Sequence, residues 1–188
     1  MSEHVCPWWL GYLLASPIRR WLTQSPEKML APFVHEGSIV LEPGPGMGFF
    51  TLPLARMVGS TGRVVAVDVQ PKMLAELKRR ATRKGLVARI DARVVDREQM
   101  RLADLNAAVD FCLAFAVVHE LPDVQSFFNQ VAFALKPGGL MFLAEPSGHV
   151  GPAKFQAELE AARIAGLGLV SRPAVSRSQA AVLQKMAI

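Results

Sequence analysis

Glu42 closes a short apolar run, and Gly44, Gly46 and Gly48 follow it at alternate positions in the stretch Val40-Leu41-Glu42-Pro43-Gly44-Pro45-Gly46-Met47-Gly48. Carboxylates hold hydroxyl and amino groups, and a turn stripped of side chains lets a ligand lie against bare backbone. The order strand, glycine turn, helix start therefore describes a binding site for a nucleoside-type ligand at a helix N-terminus. Position 49 is Phe49, so the glycine spacing departs from the dinucleotide fingerprint and argues for a nucleoside without a pyrophosphate. Arg63 to Asp68 reads as a second strand ending in a carboxylate, twenty residues after Gly48. That spacing suits an acid that reaches ribose hydroxyls in a doubly wound sheet. A helix cap ahead of Pro71 is the plainer role for Asp68, and the two are compatible.

The elements needed to position these groups can be read from periodicity. Strands are predicted at Ser38–Leu41, Val64–Val67, Ala88–Val95, Asp110–Phe115 and Leu140–Ala144, with a final pair at Gly168–Ala174 and Ala180–Gln184. Helices are predicted from about Phe50, over Pro71–Lys84 with Leu74, Leu77 and Ala81 on one face, over Val124–Leu135, and over Pro152–Ala165. Lys136-Pro137-Gly138-Gly139 fits a type II turn. The alternation implies an α/β fold: a Rossmann-like, doubly wound, mostly parallel seven-stranded sheet with helices on both faces and the last strand antiparallel.

The chain has 188 residues, 51% of them hydrophobic, with a net charge of +5. It fits a single domain, with residues 37–188 as core and residues 1–36, rich in aromatics including Trp8, Trp9, Tyr12, Trp21 and Phe33, as a segment folding over the strand ends as a lid. The same aromatics would also serve a homodimer, so monomer and homodimer stay open. No apolar run reaches the length of a membrane span, and Trp8 to Ala15 lacks the flanks of a signal peptide. Two distant cysteines, Cys6 and Cys112, give no disulfide framework, and a cytoplasmic setting is expected. The basic run from Lys72 to Arg93 lacks interleaved aromatics and reads as a solvated helix face rather than a nucleic-acid surface.

Four segments, Val40–Thr51, Val65–Asp68, Phe111–Pro122 and Leu135–Pro146, together resemble the ordered motifs of class I S-adenosylmethionine-dependent methyltransferases, in the small type-11 branch that includes the UbiE-like enzymes. The resemblance implies S-adenosylmethionine as cofactor, S-adenosylhomocysteine as product and a small-molecule methyl acceptor. A non-catalytic cofactor-binding subunit and an RNA or protein methyltransferase are the alternatives. Ala114-Phe115-Ala116-Val117 stands where a nucleic-acid amino-group methyltransferase would carry an N/D-P-P-Y/F motif, which counts against RNA. By the same resemblance, Glu42 supports the methionine end, Gly44, Pro45, Gly46 and Gly48 form the backbone bed, and Asp68 with Val69 meets the ribose. Asp96 with Arg97 meets the adenine, and Phe115 walls the reactive methyl. The tail between the last two strands is short and no inserted substrate domain is evident.

A sulfonium methyl is already activated, so a base is needed only where the acceptor carries a proton. His119 and His149 follow strands four and five, on the edge where open α/β sheets place their sites, and are the candidate bases. Helix entry and packing is the plainer role for His119. Glu120 and Glu145 share that edge, and the spacing of the four does not suit a structural zinc.

Overall fold

The computed structural model describes residues 25–187. Seven strands run β1 (Ile39–Pro43), β2 (Arg63–Asp68), β3 (Ile90–Val94), β4 (Val109–Phe115), β5 (Leu135–Pro146), β6 (Leu167–Ser171) and β7 (Ser178–Lys185). They form one sheet in the order β3-β2-β1-β4-β5-β7-β6. All pairings from β3 across to β5 are parallel, and β7 is antiparallel to both β5 and β6. The order reverses between β1 and β4, and the crevice at that reversal is where doubly wound sheets bind ligands.

Helices α1 (Pro26–Leu30), α2 (Thr51–Met57), α3 (Pro71–Arg83), α4 (Val124–Ala134) and α5 (Pro152–Ile164) cover the sheet. Two buried clusters divide its faces. Leu41, Val67, Cys112, Leu143 and Leu183 point to the side holding Phe128 of α4 and Phe155 of α5. Val40, Ala66, Leu113, Ala144 and Val182 point to the side holding Leu54 of α2 and Leu77 of α3. Residues adjacent in a strand point to opposite faces, so near-continuous apolar strands are what a sheet covered on both sides requires. Helix α3 begins with Pro71, where the missing N–H costs nothing, and buries Met73, Leu74, Leu77 and Ala81. Full burial of a leucine such as Leu77 contributes roughly 2 kcal/mol. Gly85, at φ 67°, ends that helix in a conformation that suits glycine. Helix α4 starts at Asp123, whose side chain accepts the Ser126 N–H at 2.8 Å.

The strands and helices depart from expectation in detail only. The start predicted for strand three, Ala88–Arg89, belongs to a 3₁₀ turn over Val87–Arg89. Lys136–Gly139, expected as a turn ahead of strand five, lies inside the long β5, where the pairing with β4 jumps from Val109↔Leu135 to Phe111↔Leu140. Gly138 has the positive φ of a type II turn, 78°, so the turn survives as an irregularity within the strand. At this amino edge Asp110 joins three strands: its Oδ2 accepts the Ile39 N–H of β1 at 2.8 Å, and its Oδ1 pairs with Lys136 of β5.

Of the aromatics expected over the strand ends, Trp8, Trp9, Tyr12 and Trp21 lie outside the described residues. Phe33 is described, and it packs on a sheet face instead: its ring stacks on Phe111 at 5.4 Å and meets Phe142 edge-on at 5.8 Å. Its apolar ring finds more buried partners there than at the polar edge.

Candidate functional site at the carboxyl ends of the strands

The glycine loop leaves β1 and turns back on itself before α2. Gly44, Gly46 and Gly48 all adopt positive φ, at 66°, 54° and 88°, a region that residues with a Cβ enter at a cost. Space separates their roles. A Cβ on Gly44 would stand 2.8 Å from Val117 Cγ2, and one on Gly48 would stand 2.5 Å from Leu77 Cδ1. These two let protein pack against the loop. A Cβ on Gly46 would meet nothing within 4 Å, so this glycine offers bare backbone to open space. Pro45 between them is buried.

Glu42, at the end of β1, is buried, and its Oε2 has no hydrogen-bond partner among the described residues. The Thr51 hydroxyl, fully buried at the start of α2, is likewise unpartnered. Burial pushes the Glu42 carboxyl up to about 8; the nearby Thr51 hydroxyl opposes the rise and the Asp68 charge adds to it. A buried carboxylate oxygen without a donor is costly, and such an orphan inside a glycine-walled crevice fits a ligand that brings its own donor.

Asp68 ends β2. Its Oδ1 accepts the Gln70 N–H at 2.9 Å, so it does form the turn ahead of Pro71. Burial pushes this carboxyl up to about 6, against the backbone N–H groups of Gln70, Gly46 and Val69 and with the Glu120 charge adding to the rise. The same carboxyl borders the Gly46 backbone, and Val69, half-buried, follows it. Phe115 at the end of β4 packs its ring 4.8 Å from Phe50, on the face that Glu42 and Asp68 share. Asp96 and Arg97 lie on the exposed loop after β3, where Asp96 pairs with Arg101 at 2.8 Å.

His119 and His149 meet, with ring centroids 5.5 Å apart. His119 Nδ1 is hydrogen-bonded to Glu145 Oε2, and its Nε2 stands 3.9 Å from Glu120 Oε1. The Glu145 bond raises the His119 pKa, with burial opposing it. Glu145 shares the face of Leu143, because alternate strand residues point the same way; Glu42 and Asp68 sit on the other face. The structure therefore brings the expected residues into two groups rather than one. Two buried residues were not anticipated: Thr51, and Glu158 on α5, whose two carboxylate oxygens are both unpartnered among the described residues. The signal for Glu158 was its spacing, three after Phe155, on the face where α5 buries Phe155, Leu159 and Ala162.

Cys112 and three arginines of the basic run are engaged within the fold. Cys112 is fully buried, and burial pushes its thiol far up. Arg80 donates to the Met47 carbonyl at 2.7 Å, Arg89 to the Ala55 carbonyl at 3.2 Å, and Arg93 pairs with Asp91 and Asp104. Among the described residues no group of three or more His, Cys, Asp or Glu side chains is arranged to hold a metal ion, and no helix is long and apolar enough to cross a membrane.

Two grooves lie outside the glycine loop. One, of about 520 Å³, is lined by Phe155, Arg172, Val175, Ser176, Ser178 and Gln179 where the β6–β7 connection meets the carboxyl end of β5. The other, of about 470 Å³, lies between the Glu98–Ala103 loop and α4.

A family model described as a methyltransferase domain matches residues 41–143, from the end of β1 into β5 and more than half of the chain. The chain belongs to this family, the type-11 branch of the class I S-adenosylmethionine-dependent methyltransferases. Among curated proteins it is 36% identical over 114 residues to a ubiquinone biosynthesis O-methyltransferase of Paramagnetospirillum magneticum, covering 61% of this chain and 42% of that protein. It is 27% identical over 112 residues to the ubiquinone/menaquinone biosynthesis C-methyltransferase UbiE of Hydrogenovibrio crunogenus, covering 60% of this chain and 43% of that one. The chain thus spans less than half the length of these relatives. Among solved structures, a SAM dependent methyltransferase from Aquifex aeolicus superposes with a TM-score of 0.84 at 23% identity, over 97% of this chain and all of that one, which shows the shared fold. S-adenosylmethionine is the cofactor of this family, and the orphan oxygen of Glu42 and the open backbone of Gly46 fit it.

Proposed function

We propose that the protein transfers a methyl group from S-adenosylmethionine to a small-molecule acceptor. The observation that carries this reading is the pairing of an unpartnered buried carboxylate, Glu42, with a glycine loop whose middle member faces open space. In this reading Glu42 accepts from the cofactor's amino end, Gly46 lets the cofactor lie on bare backbone, and Asp68 accepts from the ribose hydroxyls. Asp96 and Arg97 border the adenine, and Phe115 with Phe50 screens the reactive centre from water. The cofactor supplies an activated sulfonium methyl. The protein's tasks are then to align the acceptor and to exclude water.

The acceptor approaches from the β5–β7 side, where the groove beside Phe155 and Ser178 opens. For an acceptor that must lose a proton, His119 and His149 are the candidate bases, and the Glu145 bond to Nδ1 makes the His119 ring the more basic for its surroundings. The named relatives methylate in quinone biosynthesis, so an acceptor screen begins with small phenols.

The test is turnover. Purified protein is incubated with labelled donor and fractions of a metabolite extract, with phenols as the first pure compounds, and S-adenosylhomocysteine is measured. Formation of S-adenosylhomocysteine that depends on one acceptor fraction supports the reading. Tight S-adenosylhomocysteine binding with no turnover across all fractions would instead favour a non-catalytic cofactor-binding subunit.

A further inference from the structure

Glu145 is fully buried, yet nothing about it is unsatisfied. Its Oε1 accepts the N–H of Val117 at 3.1 Å and of Val118 at 2.9 Å, and its Oε2 holds His119 Nδ1. Three consecutive residues of the turn after β4 are thus gathered on one carboxylate of β5. The turn they form needs holding. It opens with Ala116 at φ 58°, a left-handed conformation that costs a residue with a Cβ about 1 kcal/mol. The Ala116 N–H is itself fastened to the Ala144 carbonyl at 2.7 Å. On the far side of the turn, the Val117 side chain closes on Gly44 so tightly that a single added carbon would clash. A line of contact therefore runs from Glu145, through the backbone of Val117, to the first glycine of the loop. Glu145 points to the opposite sheet face from Glu42 and Asp68, so it does not reach the ligand those two carboxylates face.

We propose that Glu145 is a positioning residue for the cofactor site: one carboxylate holds the Ala116–His119 turn in its strained shape, and through Val117 that turn sets the glycine loop. His119 is the second anchor of the same grip. The other charged groups around it are Glu120 on the turn itself, His149 on the loop after β5, and Lys154 and Glu158 on α5. Glu158, which burial and the Glu145 charge push up to about 7, keeps a second carboxyl in the same dry region without competing for the turn's N–H groups. This inference rests on the S-adenosylmethionine reading of the site.

The test uses calorimetry with S-adenosylhomocysteine on the full chain, together with melting curves. Glu145→Ala is expected to weaken binding at least tenfold at a temperature where the variant is fully folded, and Glu145→Gln, which keeps an acceptor for Val117 and Val118, to weaken it less. Val117→Ala leaves every Glu145 bond in place and removes the contact with the loop together with part of the Val117 packing on the core; it is expected to weaken binding severalfold, with the melting curve reading the packing loss separately. In NMR titrations, Glu145→Gln is expected to lower the midpoint of the His119 ring. A Glu145→Ala protein that melts earlier but binds like wild type overturns the proposal, as a merely structural carboxylate would behave that way. Should Glu145→Ala not fold, wild-type binding by Val117→Ala overturns it equally. Absence of binding by the wild-type protein strikes at the cofactor reading itself, a result distinguishable from either.

Discussion

Two buried carboxylates stand at the ends of strands on the same edge of the sheet, and they are treated in opposite ways. Glu145 of β5 is surrounded by donors: two backbone N–H groups and an imidazole. Glu42 of β1 is buried too, and its Oε2 has no hydrogen-bond partner among the described residues. Burying a carboxylate costs several kcal/mol unless it is hydrogen-bonded. Under the proposed function, the strand end left open is the one that receives the ligand. The first carboxylate is bonded to the backbone of a turn, and the second keeps an oxygen with no partner among the described residues. Burial alone would not have separated them, and partner counting does.

The sharpest way to break this contrast is Glu42→Gln. The folded-state pKa of Glu42 is raised from 4.5 to about 8, so across that window the folded protein binds more protons than the unfolded chain. Stability attributable to this group is therefore present at low pH and is lost as pH rises from 4.5 through about 8. Glutamine does not ionise, so the ligand-free variant is expected to be more stable than wild type above that window, by on the order of 3 kcal/mol. Its affinity for S-adenosylhomocysteine is expected to fall about tenfold or more. Denaturant melts at a series of pH values and calorimetry read the two arms. A variant that is less stable at alkaline pH would mean that Glu42 is a structural carboxylate after all.

Asp68→Ala probes the neighbouring strand end, where the proposed function gives one carboxylate both a backbone turn and the ligand. Loss of a charged acceptor should weaken S-adenosylhomocysteine binding by roughly 2 kcal/mol, about thirtyfold. The lost Gln70 bond should destabilise the fold by only about 1 kcal/mol. Equal effects on both quantities would argue that the cap is the whole role.

Gly48→Ala and Gly46→Ala separate packing from ligand contact inside the loop. Both sites have positive φ, but only the Gly48 Cβ meets a neighbour, at 2.5 Å. Gly48→Ala is expected to cost about 2 kcal/mol of stability and Gly46→Ala about 1 kcal/mol. Gly46→Ala should nevertheless lose more affinity for S-adenosylhomocysteine than its melting point suggests. Reversal of that order would mean that Gly46 does not face the ligand. The smallest effect is reserved for Lys136→Met at the opposite edge of the sheet. Its pair with Asp110 is half-exposed, so the loss should stay below about 1 kcal/mol and leave binding untouched.

Much of this was legible from the sequence because the signals were local. The Leu74, Leu77 and Ala81 spacing marked the buried face of α3, and the apolar runs marked the strands. The glycine loop and the acids at 42 and 68 were visible as residue types in order. Partners were not visible. Nothing in the string Ala144-Glu145-Pro146 says that its carboxylate is taken up by residues 117–119, because that depends on β4 and β5 lying side by side in register. Nor does the sequence show that Glu42 Oε2 lacks a partner among the described residues, since an unmade bond has no sequence signature. Phe33 was grouped with the other amino-terminal aromatics because composition does not distinguish a ring that covers an edge from one that lies flat on a face.

The Asp110 junction gives the sheet a spine. It fastens β1, β4 and β5 at their amino ends, on the side away from the glycine loop. The opposite margin, where these strands end, is fastened separately by the Glu145 bonds that join β5 to the turn after β4. That margin carries Glu42, Asp68, Phe115 and Glu145. The groups that fasten the strands at their starts and the side chains that border the crevice thus lie at opposite ends of the same strands. Residues along the open edge can also be exchanged to suit a different acceptor while the bound margin keeps the strands in register.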